Sequence, residues 1–225
     1  MTKSLRTFGL ALVGVFMAFS ASAIPTLQLD IEGGTYVGGD EESVMTSDPV
    51  FTLYAYGTPG GDVSSEDMLS GEYILAIAIS SKIDEPMDLG TISVDGVSYD
   101  VTGDFTYGTP PLEATANPTL GSHGIYDTYF MELSFMFDST QTAALVNVED
   151  DGGNGPDTSG TGMFYVPFEI DMSNLLAGYN LHFDLYNTAL RRGDTILGDF
   201  APFSHDAGTN ITVSEPGSLA LFGLG

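Results

Sequence analysis

The chain has no cysteine and no tryptophan among its 225 residues, and only five residues are lysine or arginine. Without cysteine there is no disulfide, no zinc-thiolate site and no thiol nucleophile. Without tryptophan the chain lacks the largest aromatic stacking surface. The few cations oppose 31 Asp and Glu residues and give a formal net charge of −26. Because phosphate binding needs clustered Lys and Arg, we expect no nucleic-acid partner and no direct adhesion to an anionic bilayer.

Acidity of this kind does not imply disorder here. Hydrophobic residues make up 43% of the chain and aromatic residues 11%. This composition supplies enough apolar surface for a packed core, unlike that of an acidic disordered tail. The length suits a single β-sandwich domain.

The first 23 residues have the pattern of a secretory signal peptide. Lys3 and Arg6 precede an uncharged apolar run, Phe8–Phe19, and the small-residue triplet Ala21-Ser22-Ala23. The apolar run is shorter than the roughly 20 residues that a membrane-spanning helix needs. We therefore expect signal peptidase to cleave after Ala23; an uncleaved membrane anchor is the alternative.

Hydrophobic residues recur with a period of two along residues 24–212, as in strands with one buried face. In Thr26–Glu32 this alternation places Leu27, Leu29 and Ile31 on one face. Breaks rich in Gly, Pro, Asn and Asp separate such runs. The pattern predicts an all-β fold, a single antiparallel β-sandwich or jelly-roll-like domain over residues 24–212. The other predicted strands are Val50–Tyr56, Tyr73–Ser80, Thr91–Val94, Val97–Val101, Thr128–Phe137, Ala143–Val148, Met163–Ile170, Leu181–Tyr186 and Asn210–Val213.

Local signals sharpen this prediction at a few places. Asp95-Gly96 lies between two alternating runs and predicts a hairpin with a type I′ turn, because both residues tolerate positive φ. In Tyr129–Phe137 every odd-numbered residue is apolar, so we expect this strand to cross the core. Only Met68–Leu69 and Leu112–Ala116 suggest a helical turn.

The last residues, 213–225, combine a Glu-Pro motif with an apolar run. Glu215-Pro216 leads into Leu219–Gly225, which is rich in Gly and Leu. This resembles the opening of a PEP-CTERM sorting signal, in which a Pro-Glu-Pro-like motif precedes a Gly- and Leu-rich membrane helix and a basic cluster. Ser214 stands where the first proline of that motif usually lies. Seven apolar residues cannot span a bilayer, so we expect the sequence to stop inside the sorting helix; a final β-strand is the alternative.

This resemblance implies a location and a set of partners. It implies an exosortase that cleaves near Glu215-Pro216 in a Gram-negative, exopolysaccharide-producing bacterium. The expected destination is the cell envelope or the extracellular matrix. The expected partners are signal peptidase and exosortase during export and extracellular polysaccharide afterwards, with only transient membrane contact through the tail.

A second resemblance rests on five segments spread over nearly the whole chain after residue 23. The segments are Leu27–Tyr36, Asp48–Ala55, Tyr107–Glu113, His182–Thr188 and Phe200–Ala207. They are similar to the choice-of-anchor N proteins, an extracellular domain found with different C-terminal anchors. The group has no established activity, so the resemblance implies location and fold rather than chemistry.

Residues 149–157 form an acidic, glycine-rich loop with the hard oxygen ligands that calcium prefers. The candidate metal ligands are Asp150, Asp151, Asn154 and Asp157, and calcium is the candidate cofactor. The loop departs from the EF-hand pattern, because Gly occupies the third position from Asp150 and Thr161 the place of the closing glutamate. A solvated surface loop is the alternative.

The histidines provide a second candidate site. His182 and Asp184 lie two residues apart and project from one face of a predicted strand. Together with His205 and Asp206 across the sheet they would form a polar site that offers imidazole and carboxylate to a metal. Sequence alone does not bring His123, His182 and His205 together, so polar decoration of a solvent face is the alternative.

The chain contains no G-x-S-x-G elbow, no H-E-x-x-H helix and no phosphate-binding glycine loop. We therefore expect no enzyme but an exported surface protein, structural or associated with the exopolysaccharide matrix. The alternative is a carbohydrate-binding module, calcium-stabilised, which the eleven tyrosines favour. A glycoside-type hydrolase ranks last, because nothing selects two carboxylates from so many.

Overall fold

The computed structural model describes residues 26–38, 43–60, 63–80, 82–110, 127–187 and 206–211. These ranges contain thirteen strands and two short helices, α1 (Ser65–Ser70) and α2 (Val148–Asp151). The signal peptide, the sorting tail and the helical turn predicted at Leu112–Ala116 lie outside them. The strands are β1 (Leu27–Ile31), β2 (Thr35–Val37), β3 (Ser43–Thr46), β4 (Val50–Gly57), β5 (Tyr73–Ser80), β6 (Thr91–Val94), β7 (Val97–Asp100), β8 (Thr106–Gly108), β9 (Thr128–Phe135), β10 (Thr142–Ala144), β11 (Gly162–Asp171), β12 (Asn180–Asn187) and β13 (Asp206–Thr209).

The strands form two sheets, which confirms the predicted all-β sandwich. Sheet I has the order β1-β4-β11-β6-β7, with β10 also paired to β11. Sheet II has the order β2-β3-β13-β12-β5-β9-β8. Among the described strands every pair is antiparallel except β13 with β3, which is parallel. In the described residues no helix has the length and apolar character needed to cross a membrane.

The core lies between the inner faces of the two sheets. Leu29 and Leu53 of sheet I and Leu75 and Phe183 of sheet II are fully buried there. The rings of Phe51 and Phe183 meet edge to face across the layers at 6.0 Å. Each fully buried aliphatic or aromatic side chain of this kind contributes about 1.5–3 kcal/mol. The apolar residues that recur with a period of two are therefore the residues that form this core.

The hairpin predicted at Asp95-Gly96 is confirmed. Asp95 has φ 51° and Gly96 φ 76°, as a type I′ turn requires. Val94 pairs with Val97 directly across the turn. The hairpin is also fixed to β11, because the Asp95 carboxylate accepts the Glu169 N–H at 2.8 Å.

The predicted strands Ala143–Val148 and Asn210–Val213 differ in extent from the observed strands, and one predicted helical turn is confirmed. The run Ala143–Val148 is a strand only at its beginning, because the Asn147 side chain accepts the Glu149 N–H and starts α2. The last strand of the described residues is Asp206–Thr209, and Asn210 and Ile211, where the predicted strand begins, follow it. The helical turn at Met68–Leu69 is confirmed as α1, with a capping box at its start.

Candidate functional site

Three side chains of metal-binding type meet on the outer face of sheet II. Strand β12 alternates, with Leu181, Phe183 and Leu185 in the core, so His182 and Asp184 project to the other face. Phe183 pairs with Ala207. The same register carried one residue further places Asp206 of β13 beside Asp184.

The three side chains are close and largely buried. His182 Nε2 lies 3.2 Å from Asp184 Oδ1 and 3.9 Å from Asp206 Oδ2. The ligand atoms all lie within 4.8 Å of one another, and among the described residues no other group of three His, Asp or Glu side chains does so. The side chains of His182, Asp184 and Asp206 are 16%, 2% and 0% exposed. We call this group the His-Asp-Asp cluster.

The cluster contains three of the four residues that the sequence grouped as a polar site. The fourth, His205, lies outside the described residues, and so does His123. The i, i+2 spacing predicted that His182 and Asp184 project from one face of a strand, and both lie on the outer face of β12. Asp206 comes close to His182 and Asp184 because β13 pairs with β12. The order of strands in a sheet cannot be read from the spacing of residues along the chain.

Two further polar side chains on this face, Tyr186 and Glu132, were not predicted from the sequence. The Tyr186 hydroxyl donates to Glu132 Oε1 at 2.5 Å. Asp184 pairs with Ala76, and Ala76 pairs in turn with Glu132, so the small alanine separates the two acidic side chains. Only the register of three strands brings these groups into one row. Ile74, Ala76 and Tyr186 form a second buried apolar cluster on the same face.

The acidic loop predicted as a calcium site packs on the outer face of sheet I. Its anchors are Gln28 and Asp30, the polar residues of β1, which are 0% and 2% exposed. The Gln28 side-chain amide donates to the Val146 carbonyl and accepts the Val148 N–H, both at 3.0 Å. The Asp30 carboxylate accepts the N–H of Gly153 at 2.6 Å and of Gly155 at 3.1 Å. The glycine amides of the loop are thus directed at a side chain of the sheet.

The four candidate calcium ligands are placed along this loop. Asp150 and Asp151 lie in the first turn of α2. Asp151 Oδ1 accepts the Asn154 side-chain N–H at 2.6 Å, and Asp157 Oδ1 accepts the Ser159 N–H at 3.0 Å. These are bonds within local turns, and the three carboxylates do not gather within 4.8 Å of one another. Calcium binding by this loop stays a prediction.

Burial raises the pKa of Asp30 above its ordinary value of 3.8, although the N–H groups of Gly153 and Gly155 act in the opposite direction. A raised pKa means that the folded state takes up a proton more readily than the unfolded state. This contribution of Asp30 to stability is complete below pH 3.8 and is lost as the pH rises through its folded pKa.

We therefore expect the stability of the wild type relative to Asp30→Asn to increase as the pH falls from about 7 to about 4. Urea denaturation of both proteins across this range measures it. The difference cancels the titration of the other carboxylates, since both proteins share them. A pH-independent difference would contradict a raised Asp30 pKa.

The outer face of sheet I also carries three tyrosines. Tyr54 and Tyr56 of β4 have nearly parallel rings, with centroids 6.3 Å apart, and Tyr54 meets Tyr165 of β11 edge to face at 6.1 Å. Tyr56 is buried, whereas Tyr54 and Tyr165 are half-buried. Exposed Glu32 and Glu169 flank them, and we call Tyr54, Tyr165, Glu32 and Glu169 the tyrosine face.

Hydrogen bonds hold the tyrosine face in place. The Tyr54 hydroxyl donates to Glu32 Oε2 at 2.9 Å, and the Thr52 hydroxyl donates to Glu169 Oε1 at 3.1 Å. Burial and the bond to Glu32 raise the pKa of Tyr54 to about 12, so its hydroxyl stays protonated at neutral pH. The ring orientation of Tyr54 is thus fixed at one edge by β11 and at the hydroxyl by Glu32.

A groove beside α1 is lined by Leu27, Val63, Asp67, Tyr73 and Asn187, among others, and encloses about 190 Å³. Pockets for small molecules usually enclose about 300–1,000 Å³. Among the described residues that line the groove, Asp67 supplies the one carboxylate. Glycoside hydrolysis would need a second carboxylate beside it.

Comparison with known proteins finds no matching family model, no matching curated protein and no matching solved structure, so the function of this chain is inferred from its own residues.

Proposed function

We propose that the chain is an exported, non-catalytic protein of the bacterial cell envelope or extracellular matrix that holds neutral polysaccharide on its tyrosine face. Export is supported by the leader that ends at Ala23 and by the sorting-like tail around Glu215-Pro216. The single observation that supports polysaccharide binding is the pair of half-exposed rings, Tyr54 and Tyr165, between Glu32 and Glu169.

Such a surface matches the two kinds of group on a sugar. Aromatic rings cover the apolar C–H faces, and carboxylate oxygens accept the hydroxyl hydrogens. Because Tyr54 is already bonded to Glu32 and packed on Tyr165, little side-chain freedom is lost when a sugar binds. The tyrosine face takes the role that tryptophan, absent from this chain, often has.

The charge of the protein selects the class of polysaccharide. A formal net charge of −26 repels polyanions at the ionic strength of most aqueous surroundings. Glu32 and Glu169 add negative charge at the tyrosine face itself. We therefore propose a neutral glycan rather than an acidic one.

The test is retention of the full chain by a panel of neutral polysaccharides, cellulose, dextran and galactomannan, with alginate as the polyanion. We expect binding to at least one neutral member and none to alginate. Replacement of both Tyr54 and Tyr165 by alanine should weaken binding about tenfold or more, because each ring contact contributes about 0.5–1.5 kcal/mol. Affinity electrophoresis measures the change.

A matched control is available on the other sheet. Tyr107 resembles Tyr54, because it meets Tyr129 edge to face at 5.3 Å and its hydroxyl donates to a carbonyl, that of Ile83. Tyr107→Ala should leave binding unchanged. Equal loss in Tyr107→Ala, or no retention by any neutral polysaccharide, would reject the tyrosine face as the binding surface and leave a purely structural role.

A further inference from the structure

We propose that the His-Asp-Asp cluster binds one divalent transition-metal ion, with Zn²⁺ as the reference, and that this ion fastens β13 to β12. The inference does not depend on polysaccharide binding, because the cluster lies on sheet II and the tyrosine face on sheet I.

The geometry suits a small cation. In a tetrahedral zinc site with bonds of about 2.0–2.1 Å, neighbouring ligand atoms lie about 3.3–3.4 Å apart. The two distances from His182 Nε2, 3.2 Å to Asp184 and 3.9 Å to Asp206, lie on either side of that value. The carboxylate atoms of Asp184 and Asp206 lie within 4.8 Å of each other, so the ion would have to draw the two carboxylates closer together.

The ligand types favour a transition metal over calcium. Calcium is held by six to eight oxygen atoms, whereas zinc and its neighbours accept imidazole nitrogen together with carboxylate oxygen. His182 supplies the nitrogen, and Asp184 and Asp206 supply the oxygens. Three protein ligands also match the number in zinc sites that keep one open position.

Burial gives a second, independent reason. Asp184 and Asp206 are 2% and 0% exposed and lie on adjacent strands within 4.8 Å. Carboxylates buried this deeply are paired or coordinate metal ions. A divalent ion between Asp184 and Asp206 would be attracted to both. The strands that carry these residues also fix their positions, so the site is formed before the ion arrives.

The place of the ligands in the fold indicates what the ion would do. Strand β13 has four residues, and its described ladder with β12 contains two residue pairs, His182 with Gly208 and Phe183 with Ala207. A metal shared by Asp184 and Asp206 would extend that short ladder by one cross-strand link. Binding to the folded state alone then stabilises it by mass action.

The test uses the full chain after removal of metal with a chelator. Isothermal titration with ZnCl₂ should show one equivalent bound, and the melting temperature should rise by about 5 °C or more when zinc is in large excess over its dissociation constant. CaCl₂ should bind at least tenfold more weakly. His182→Ala should weaken zinc binding at least tenfold, and Asp184→Asn with Asp206→Asn should abolish it.

The matched control is Asp150→Asn with Asp151→Asn, which removes two carboxylates of the acidic loop and should leave one zinc equivalent bound. His182→Ala serves where the buried aspartate variant does not fold, which circular dichroism reports. The proposal is overturned if folded wild type binds no zinc, if binding survives His182→Ala unchanged, or if calcium binds as tightly as zinc. Loss of zinc binding in the loop control would also overturn it.

Discussion

Asp30→Ala is expected to lower the free energy of unfolding by about 3 kcal/mol or more. The Asp30 carboxylate accepts the N–H groups of Ile31, Gly153 and Gly155, at 2.9, 2.6 and 3.1 Å. Hydrogen bonds to a charged group contribute about 1.5–3 kcal/mol each, and a buried N–H left without an acceptor bears its full desolvation cost. Guanidinium denaturation of the two proteins measures the difference.

Asp157→Ala is the control, because it removes the same charge from the exposed part of the same loop. Its bonds stay within one turn, to Ser159, so we expect a change below about 1 kcal/mol. A comparable loss in the two variants would mean that charge, rather than the anchoring of the loop on β1, controls stability. A small loss in Asp30→Ala would mean that Gln28 holds the loop without Asp30.

Gly153→Ala is expected to be nearly as damaging, at about 3 kcal/mol, for a steric reason. A Cβ at this position would lie 2.1 Å from the carbonyl oxygen of Gly34, and Gly153 has φ +92°. Backbone strain and overpacking cost about 1–3 kcal/mol each. Thermal unfolding followed by circular dichroism should show a melting temperature lower by several degrees.

Gly33→Ala separates the two causes. Gly33 also has positive φ, +77°, but a Cβ there would meet nothing within 4 Å. Its variant should cost only the conformational part, about 1 kcal/mol. If the two variants lose equal stability, the loop can move away from Gly34 at little cost, and the close contact between Gly153 and Gly34 does not limit the size of residue 153.

The alternation of apolar residues predicted the inner layers well, because burial of one strand face depends on local spacing alone. In β1, for example, Leu27, Leu29 and Ile31 are all buried. The Asp95-Gly96 turn was also predicted from local sequence, because both residues tolerate the positive φ that the turn requires. Strands β2, β3 and β8, of three or four residues, were missed, because so short a run shows little of the period. Strands β6 and β7 are as short but were predicted, since the Asp95-Gly96 turn marks the hairpin between them.

The polar sites were predictable only in part. His182 and Asp184 share a strand, so their common face follows from the sequence. The burial of Asp30 does not, because its partners Gly153 and Gly155 lie more than 120 residues further along the chain. Within an alternating strand, Gln28 and Asp30 look like ordinary solvent-facing residues. What buries them is the loop that crosses β1, and loop paths have no periodic signature.

The parallel pairing of β13 with β3 has a consequence for the order of events when the polypeptide folds. In the described ladders β2 and β3 reach the rest of sheet II only through β13, which begins at Asp206. The backbone groups of residues 43–46 therefore cannot form their hydrogen bonds with β13 until residues 206–209 are available. Pairings this distant in sequence are slow, and a chain whose residues 206–209 have not yet been synthesised cannot complete them. Completion of sheet II in the described residues thus depends on the arrival of β13.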